Sequence, residues 1–177
     1  MMNSDNIYND EWIRNGGNNK VHITAIVNDN VVLGTGNIIG PYAVIGGNGE
    51  IRGKDADEFK GKVIIGNNNV ISEHVTIQCP FDEGYSTKLG DNNIIMAHTH
   101  FGHDVCVGNN TEICTSTVLG GYVTVKDGVK IKIGCLIRNR ITIGENSIVG
   151  MGSVVTKDVD DNSVVYGNPA RVKNSKK

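Results

Sequence analysis

LGDNNI IMAHTH FGHDVC VGNNTE ICTSTV LGGYVT VKDGVK IKIGCL IRNRIT IGENSI VGMGSV VTKDVD, residues 89–160, divides into hexads without a slip. Every hexad opens on Ile, Leu, Val or Phe, and Gly follows that residue at 90, 102, 108, 120, 144 and 150. A period of six is neither the 3.6 of a helix nor the two of a plain strand. It reads as a short strand plus a turn, with the leading side chain pointing inward. The residue two places before each leader is often small or β-branched: Thr99, Val105, Thr111, Thr117, Val123, Cys135, Ile141 and Ser147. Such residues fit beside a larger aliphatic in a narrow interior and favour extended backbone. Gly and Asn at the corners take up turn conformations that cost other residues more. Three hexads close one triangular coil, so positions 18 apart should stack at the roughly 4.8 Å spacing of paired strands.

Upstream the same frame reads VHITAI VNDNVV LGTGNI IGPYAV IGGNGE from Val21, and IGNNNV ISEHVT from Ile65. Two segments break it: GGNGEIRGKDADEFKGKV after Ile45, and QCPFDEGYSTK at 78–88. The expected organisation is an N-terminal segment 1–20, a β-helix over 21–160 with insertions near 47–62 and 78–88, and a cap and tail over 161–177. Loops thrown out at a solenoid corner reach a neighbour or roof a cleft. The closing stretch DVDDNSVVYGNPARVK leaves the pattern, and Pro169 after Asn168 is incompatible with ordinary central pairing. An inward Ile or Val contributes roughly 1.5–3 kcal/mol when fully buried, against the ordering of a whole coil, so coils are stable only when stacked. The fold class is therefore all-β, a single-stranded parallel β-helix with two inserted loops.

The 177 residues are 38% hydrophobic and 5% aromatic, which makes a core of Ile, Val and small residues. A net charge of -2 with scattered cations argues against a nucleic-acid partner. No stretch approaches the roughly 20 apolar residues of a membrane span, and the opening has no signal-peptide pattern, so no membrane insertion and a cytoplasmic location are expected. Cys79, Cys106, Cys114 and Cys135 lack CxxC spacing and read as reduced space-fillers.

MAHTHFGHDV places His98, His100 and His103 within six residues, whereas His22 in the first coil is expected at the surface. In the hexad frame His103 follows Gly102 at a corner, with its ring on the outer wall. Imidazole suits acyl transfer because its unperturbed pKa near 6.5 lets it accept and return a proton. The tetrahedral oxyanion needs an N–H aimed at it. Eighteen residues beyond His103 lies Gly121, whose bare backbone lets a substrate approach. His103 as general base and Gly121 as oxyanion donor are the candidate catalytic pair.

The repeat resembles that of the hexapeptide-repeat proteins, which implies a left-handed helix and a homotrimer with sites at subunit interfaces. Within that group, GNNNVISEHVTI, TKLGDNNIIMAHTHFGHDVCVGN and the run to LGGYV resemble the UDP-N-acetylglucosamine acyltransferases. The resemblance implies His103 as catalytic histidine, Gly121 as oxyanion glycine, and His100 in the substrate and acyl cleft. There are departures. Tyr122 stands where the family has a histidine, CLIRNR lacks a further one, and GNGEIRGKDADEFKG replaces an Asn-Gln-Asp-Leu-Lys-Tyr loop. The family's large helical C-terminal domain is not expected within these residues. The Asn168–Pro169–Ala170 close resembles that of acetyl-coenzyme-A-dependent sugar acetyltransferases. Together these imply an acetyl donor carried by coenzyme A, with an acyl-carrier-protein thioester as the alternative, and a nucleotide-linked sugar as acceptor. No permanently bound cofactor and no metal are expected. His98, His100, Asp104, Tyr122, Arg52 and Lys54 are the expected substrate contacts. Arg171 and Lys173 are the expected contacts to donor phosphates. Asp104 is expected to face away from His103, since neighbours on extended backbone usually do.

Two other readings compete. In one, the five-residue separation of His98 and His103 resembles a ligand pair of γ-class carbonic anhydrases, with a third histidine about two coils upstream holding zinc. Counting from His98 to His74 crosses an insertion, so the wall of that third ligand stays open. The other reading is a trimeric scaffold without catalysis.

Overall fold

The computed structural model describes residues 12–50, 52–55 and 58–175, so residues 1–11 of the N-terminal segment lie outside the described part. The hexads wind into a three-walled prism of parallel strands, each wall hydrogen-bonded from coil to coil. Wall A stacks Asn19–His22, Ile38–Ile39, Val70–Ile71, Ile94–Ile95, Glu112–Ile113, Lys130–Ile131, Ile148–Val149 and Ser163–Gly167. Wall B stacks Ile26–Val27, Val44–Asn48, Thr76–Cys79, His100–Phe101, Val118–Leu119, Leu136–Ile137 and Val154–Val155. Wall C stacks Val31–Leu33, Lys62–Ile65, Ser86–Leu89, Cys106–Val107, Thr124–Val125 and Thr142–Ile143.

The period of six produces this directly. Every leading residue from Leu89 to Val155 is buried, and Phe101 is the largest of the fully buried side chains. Leu89 pairs with Val107, Val107 with Val125, and Val125 with Ile143, so each step along wall C is one 18-residue coil. The two insertions lengthen single coils. Leu33 pairs with Ile65, 32 residues on, and Leu89 pairs with Ile65 across 24. Both loops leave from the corner between walls B and C. There they pack on each other through Phe59 and Phe81, edge to face at 5.7 Å, with the Lys60 and Gly61 amides donating to Phe81 O and Pro80 O.

Polar side chains organise the corner between walls C and A. Asn19, Asn37, Asn69 and Asn93 are buried in a column, each two places before a wall-A leader. Asn69 N–H and Nδ2 donate to Asn37 Oδ1 at 2.9 and 3.0 Å, and Nδ2 also reaches Gly90 O at 2.8 Å. Its own Oδ1 accepts from Asn93 N–H and Nδ2 at 2.9 and 3.0 Å. Asn69→Ala would strand the Asn93 amide and Gly90 O in the interior. A loss of about 3 kcal/mol is expected, read from the urea midpoint, and a loss below about 0.5 kcal/mol would mean the ladder is not a stabilising element.

Hairpins close both ends. Trp12–Asn15 runs antiparallel to Asn19–His22, and His22 is buried there at 5% exposure rather than exposed as expected. Its ring meets Trp12 edge-on at 5.4 Å, and its Nδ1 sits 2.8 Å from Thr24 Oγ1. At the far end Ser163–Gly167 turns through the cis Asn168–Pro169 bond into Ala170–Ser175, which pairs antiparallel along the end of wall A. Among the described residues no helix is long and apolar enough to cross a membrane.

Candidate active site

His103 and Asp104 occupy the turn between Phe101 on wall B and Cys106 on wall C. Asp104 adopts a left-handed backbone, φ +60°, which swings its side chain back toward its neighbour. Its Oδ2 lies 2.8 Å from His103 Nδ1, so the expectation that the two face apart is corrected. An ionised carboxylate only accepts, so Nδ1 carries the proton and Nε2 keeps its lone pair. Asp104 is therefore a partner of the imidazole. The sequence offered no sign of what holds Asp104: its amide donates to Thr87 Oγ1 at 2.9 Å, and the Thr87 hydroxyl donates to Gln78 O at 2.7 Å. Thr87 and Gln78 are the two stems of the second insertion.

The His103 side chain is only 19% exposed, less open than the corner position implied. Gly121 accounts for part of this. A Cβ built there would fall 2.8 Å from Nε2 and 3.0 Å from Cε1, so the ring rests against bare backbone of the next coil. Tyr122 N–H donates to His103 O at 3.0 Å, and its ring stands edge-on to the imidazole at 5.0 Å. Below, a Cβ on Gly49 would meet His103 Cβ at 3.2 Å and Phe59 at 3.0 Å, which brings the first insertion against the base of the His103 side chain.

Side-chain oxygens take up the turn amides of one corner and not the Gly121 amide of another. At the C–A corner the equivalent amides of Thr35, Asn67, Asp91 and Asn109 each donate to the side-chain oxygen of Asn67, Asp91, Asn109 or Asp127 on the next coil. Among the described residues the Gly121 N–H makes no such bond, although Asn139 holds the corresponding place. It is an unbonded donor on the same corner as His103.

His100 projects outward from wall B in the same coil, its Nδ1 2.7 Å from Thr76 Oγ1. Burial pushes its pKa down, with the negative charge of Glu50 pulling the other way. With the folded value below the unfolded one, the unfolded chain takes up the proton first. His100 therefore costs stability as pH falls through roughly 6.5 and toward its lower folded value. His100→Gln is expected to flatten the acid limb of a stability–pH curve, and a limb as steep as wild type would remove His100 from it.

The other expected contacts are placed differently. His98 lies on the A–B corner, stacked on His74 at 4.8 Å, with Tyr42 stacked on His74 in turn at 5.2 Å. It does not share the corner of His103, because successive hexads turn to successive corners. Arg52 and Lys54 lie in the first insertion, on the His103 corner, but Lys54 is engaged by Glu58 at 3.4 Å and by the Phe81 ring at 4.0 Å. Ile51, Ala56 and Asp57 of that loop lie outside the described residues. Arg171 and Lys173 belong to the terminal hairpin of wall A, opposite the His103 corner. Arg171 donates to Ala170 O, and Lys173 lies 5.2 Å from the Tyr166 ring centroid. Within one chain they do not join the site. No group of three or more His, Cys, Asp or Glu placed to hold a metal occurs among the described residues.

Residues 86–121 and 122–157 match the bacterial transferase hexapeptide (six repeats) family, and the chain is a left-handed parallel β-helix of that repeat class. It is 38% identical over 127 residues to the acyl-[acyl-carrier-protein]–UDP-N-acetylglucosamine O-acyltransferase of Pseudomonas paraeruginosa, covering 68% of this chain and 49% of that one. The chain thus spans about half the length of the curated relatives it matches. The solved UDP-N-acetylglucosamine acyltransferase from Bacteroides fragilis superposes with a TM-score of 0.81 at 28% identity, over 88% of this chain and 60% of that one. The acetyltransferase domain of PglB from Neisseria gonorrhoeae shares the fold, with a TM-score of 0.56 at 18% identity over 88% of this chain and 57% of that one.

Proposed function

We propose that the chain is an acyltransferase that moves an acyl group from a thioester to a hydroxyl or amino group of a nucleotide-linked sugar. The observation that carries this reading is the packing of His103 Nε2 against the bare Gly121 backbone at one corner, with Nδ1 held by Asp104. Nε2 takes the acceptor's proton as the acceptor oxygen or nitrogen attacks the thioester carbon. The new bond forms while the carbonyl electrons move onto oxygen, where the Gly121 N–H receives the charge. Collapse breaks the C–S bond, and the imidazolium returns its proton to the departing sulfur. Asp104 stabilises that imidazolium and fixes the tautomer. The step needs no metal or resident cofactor.

The acceptor class is supported by the names of the relatives, both UDP-N-acetylglucosamine acyltransferases. For the donor, the relative at 38% identity supports acyl-carrier protein. Acetyl-coenzyme A is the second reading, favoured by the Asn168–Pro169–Ala170 hairpin. Either thioester places the reaction in the cytoplasm. A homotrimer in which a neighbour closes the open side of His103 belongs to this reading. It is supported by the exposed Val118, Leu136, Ile133 and Met151, which give wall B and its edge an apolar surface.

The test is a donor competition, acetyl-coenzyme A against acyl-carrier-protein thioesters, read as mass change on a panel of nucleotide amino sugars. Product from one donor with the wild type and none with His103→Ala is expected. Absence of transfer from either donor to any nucleotide sugar would overturn the reading.

A further inference from the structure

Beyond Gly121, the same corner continues into Arg138, Asn139 and Arg140, all three exposed. The Arg140 amide donates to Gly121 O at 3.0 Å, which ties this coil to the one bearing the proposed oxyanion donor. Arg140 has a left-handed backbone, φ +62°, and its guanidinium lies 4.2 Å from the centroid of Tyr122, the ring that stands against His103. A guanidinium lying over an aromatic ring is held in place yet keeps its edge N–H groups directed outward. Among the described residues neither Arg138 nor Arg140 is paired with a carboxylate. Asp158, in the next coil, spends its Oδ1 on the Thr142 amide at 2.8 Å. Lys157, exposed in the next coil, adds a third cation.

We propose that Arg138 and Arg140 form the seat for the diphosphate of the nucleotide-linked acceptor. This rests on the acyltransferase reading above and adds to it the residues that select a doubly anionic linkage. Three observations converge. First, the first insertion crowds the N-terminal side of His103, where a Cβ on Gly49 would meet His103 Cβ at 3.2 Å, Phe59 at 3.0 Å and Cys79 O at 3.3 Å, which favours a ligand that extends toward the later coils. Second, the span fits. Two coils at the spacing of paired strands separate His103 from the arginines by about 9.6 Å. That is the reach across one sugar ring and its anomeric oxygen to a diphosphate. The phosphate of a pantetheine-bearing donor hangs on a far longer arm and would fall beyond them. Third, the chemistry fits: two guanidinium forks without carboxylate partners suit adjacent phosphate groups, which accept several N–H bonds at once. Of the cations proposed from the sequence, Lys54 is already paired, and Arg171 and Lys173 face another wall.

The test titrates UDP alone into the purified full chain by calorimetry at low salt, comparing wild type with the Arg138→Ala/Arg140→Ala double variant. Each lost charge-assisted contact is worth about 10-fold or more in affinity, so at least that weakening is expected in the double variant. The KM for the nucleotide sugar should rise in parallel, with the KM for the thioester donor within about 2-fold of wild type. Arg140→Lys should recover only part of the loss, because a point charge cannot reproduce the fork. If the double variant misfolds, the single glutamine variants Arg138→Gln and Arg140→Gln carry the same comparison. UDP bound as tightly as by wild type, or a rise confined to the donor KM, would overturn the proposal. A failure of the acyltransferase reading is distinguishable: the wild type would then transfer from neither donor to any nucleotide sugar, whatever the arginine variants do to UDP binding.

Discussion

His103→Ala is expected to lower acyl transfer by roughly 10²–10⁴-fold, the usual worth of a general base, with thermal unfolding close to wild type. The separation of the two effects follows from where the ring sits. Phe101, two residues earlier, is fully buried and holds the coil, whereas the imidazole rests on the outside of the Gly121 backbone and contributes little to the interior. The loss should fall on kcat, because the ring contributes most while the proton is in flight. Asp104→Asn should share part of the defect without altering access, since the amide can present either a donor or an acceptor to Nδ1 and no longer stabilises an imidazolium. Turnover by His103→Ala within about 3-fold of wild type would take the histidine out of the mechanism and leave the acyltransferase reading without its central group.

The fold was legible because one side chain in six has no choice of surroundings. Each leader from Leu89 to Val155 is apolar and inward, and no other period accounts for that spacing. The corner assignments were legible too, had the hexads been turned one after another. His98 lies at the turn of the hexad that runs from wall A to wall B, and His103 belongs to the next, so the two point to different corners. Grouping them by closeness in the chain overlooked the rotation. Asn37, Asn69 and Asn93 also stand at a readable position, two before a leader. They looked like turn formers because asparagine usually is one, and only stacked coils give their amides partners above and below.

Other features lay beyond counting. A break in the frame says that residues are added but not at which corner they leave. Both insertions leaving beside His103 is a fact of three dimensions. The His103–Asp104 contact depends on a positive φ at Asp104, which extended-chain reasoning cannot anticipate. Thr87 is similar: it reads as one more strand residue, and its role in fixing Asp104 appears only when strand Ser86–Leu89 is laid under the turn. In each case a side chain is placed by a neighbour from another coil, and the missing information is the register between coils across an irregular insertion.

Gly121→Ala is the sharpest probe of the site, because one methyl group should inactivate the enzyme without unfolding it. Its Cβ would fall 2.8, 3.0 and 3.3 Å from Nε2, Cε1 and Cδ2 of His103, and all three atoms belong to a side chain that can move. Gly121 does not occupy the left-handed region, so alanine imposes no backbone strain. The ring must therefore give way, losing alignment with Asp104 or the edge-on contact with Tyr122. A displacement of about 1 Å in a catalytic group costs on the order of 10²-fold in rate, and a loss of at least that size is expected in kcat. The adjacent glycine supplies the contrast. A Cβ at Gly120 would meet the backbone of Asn139, its N at 2.7 Å and Cα at 3.0 Å, and backbone between two hydrogen-bonded coils cannot step aside. Gly120→Ala should therefore lower the melting temperature while Gly121→Ala lowers turnover. If Gly121→Ala instead unfolds the chain, the glycine serves packing. If it turns over at the wild-type rate, the ring in the working enzyme does not rest where it lies here.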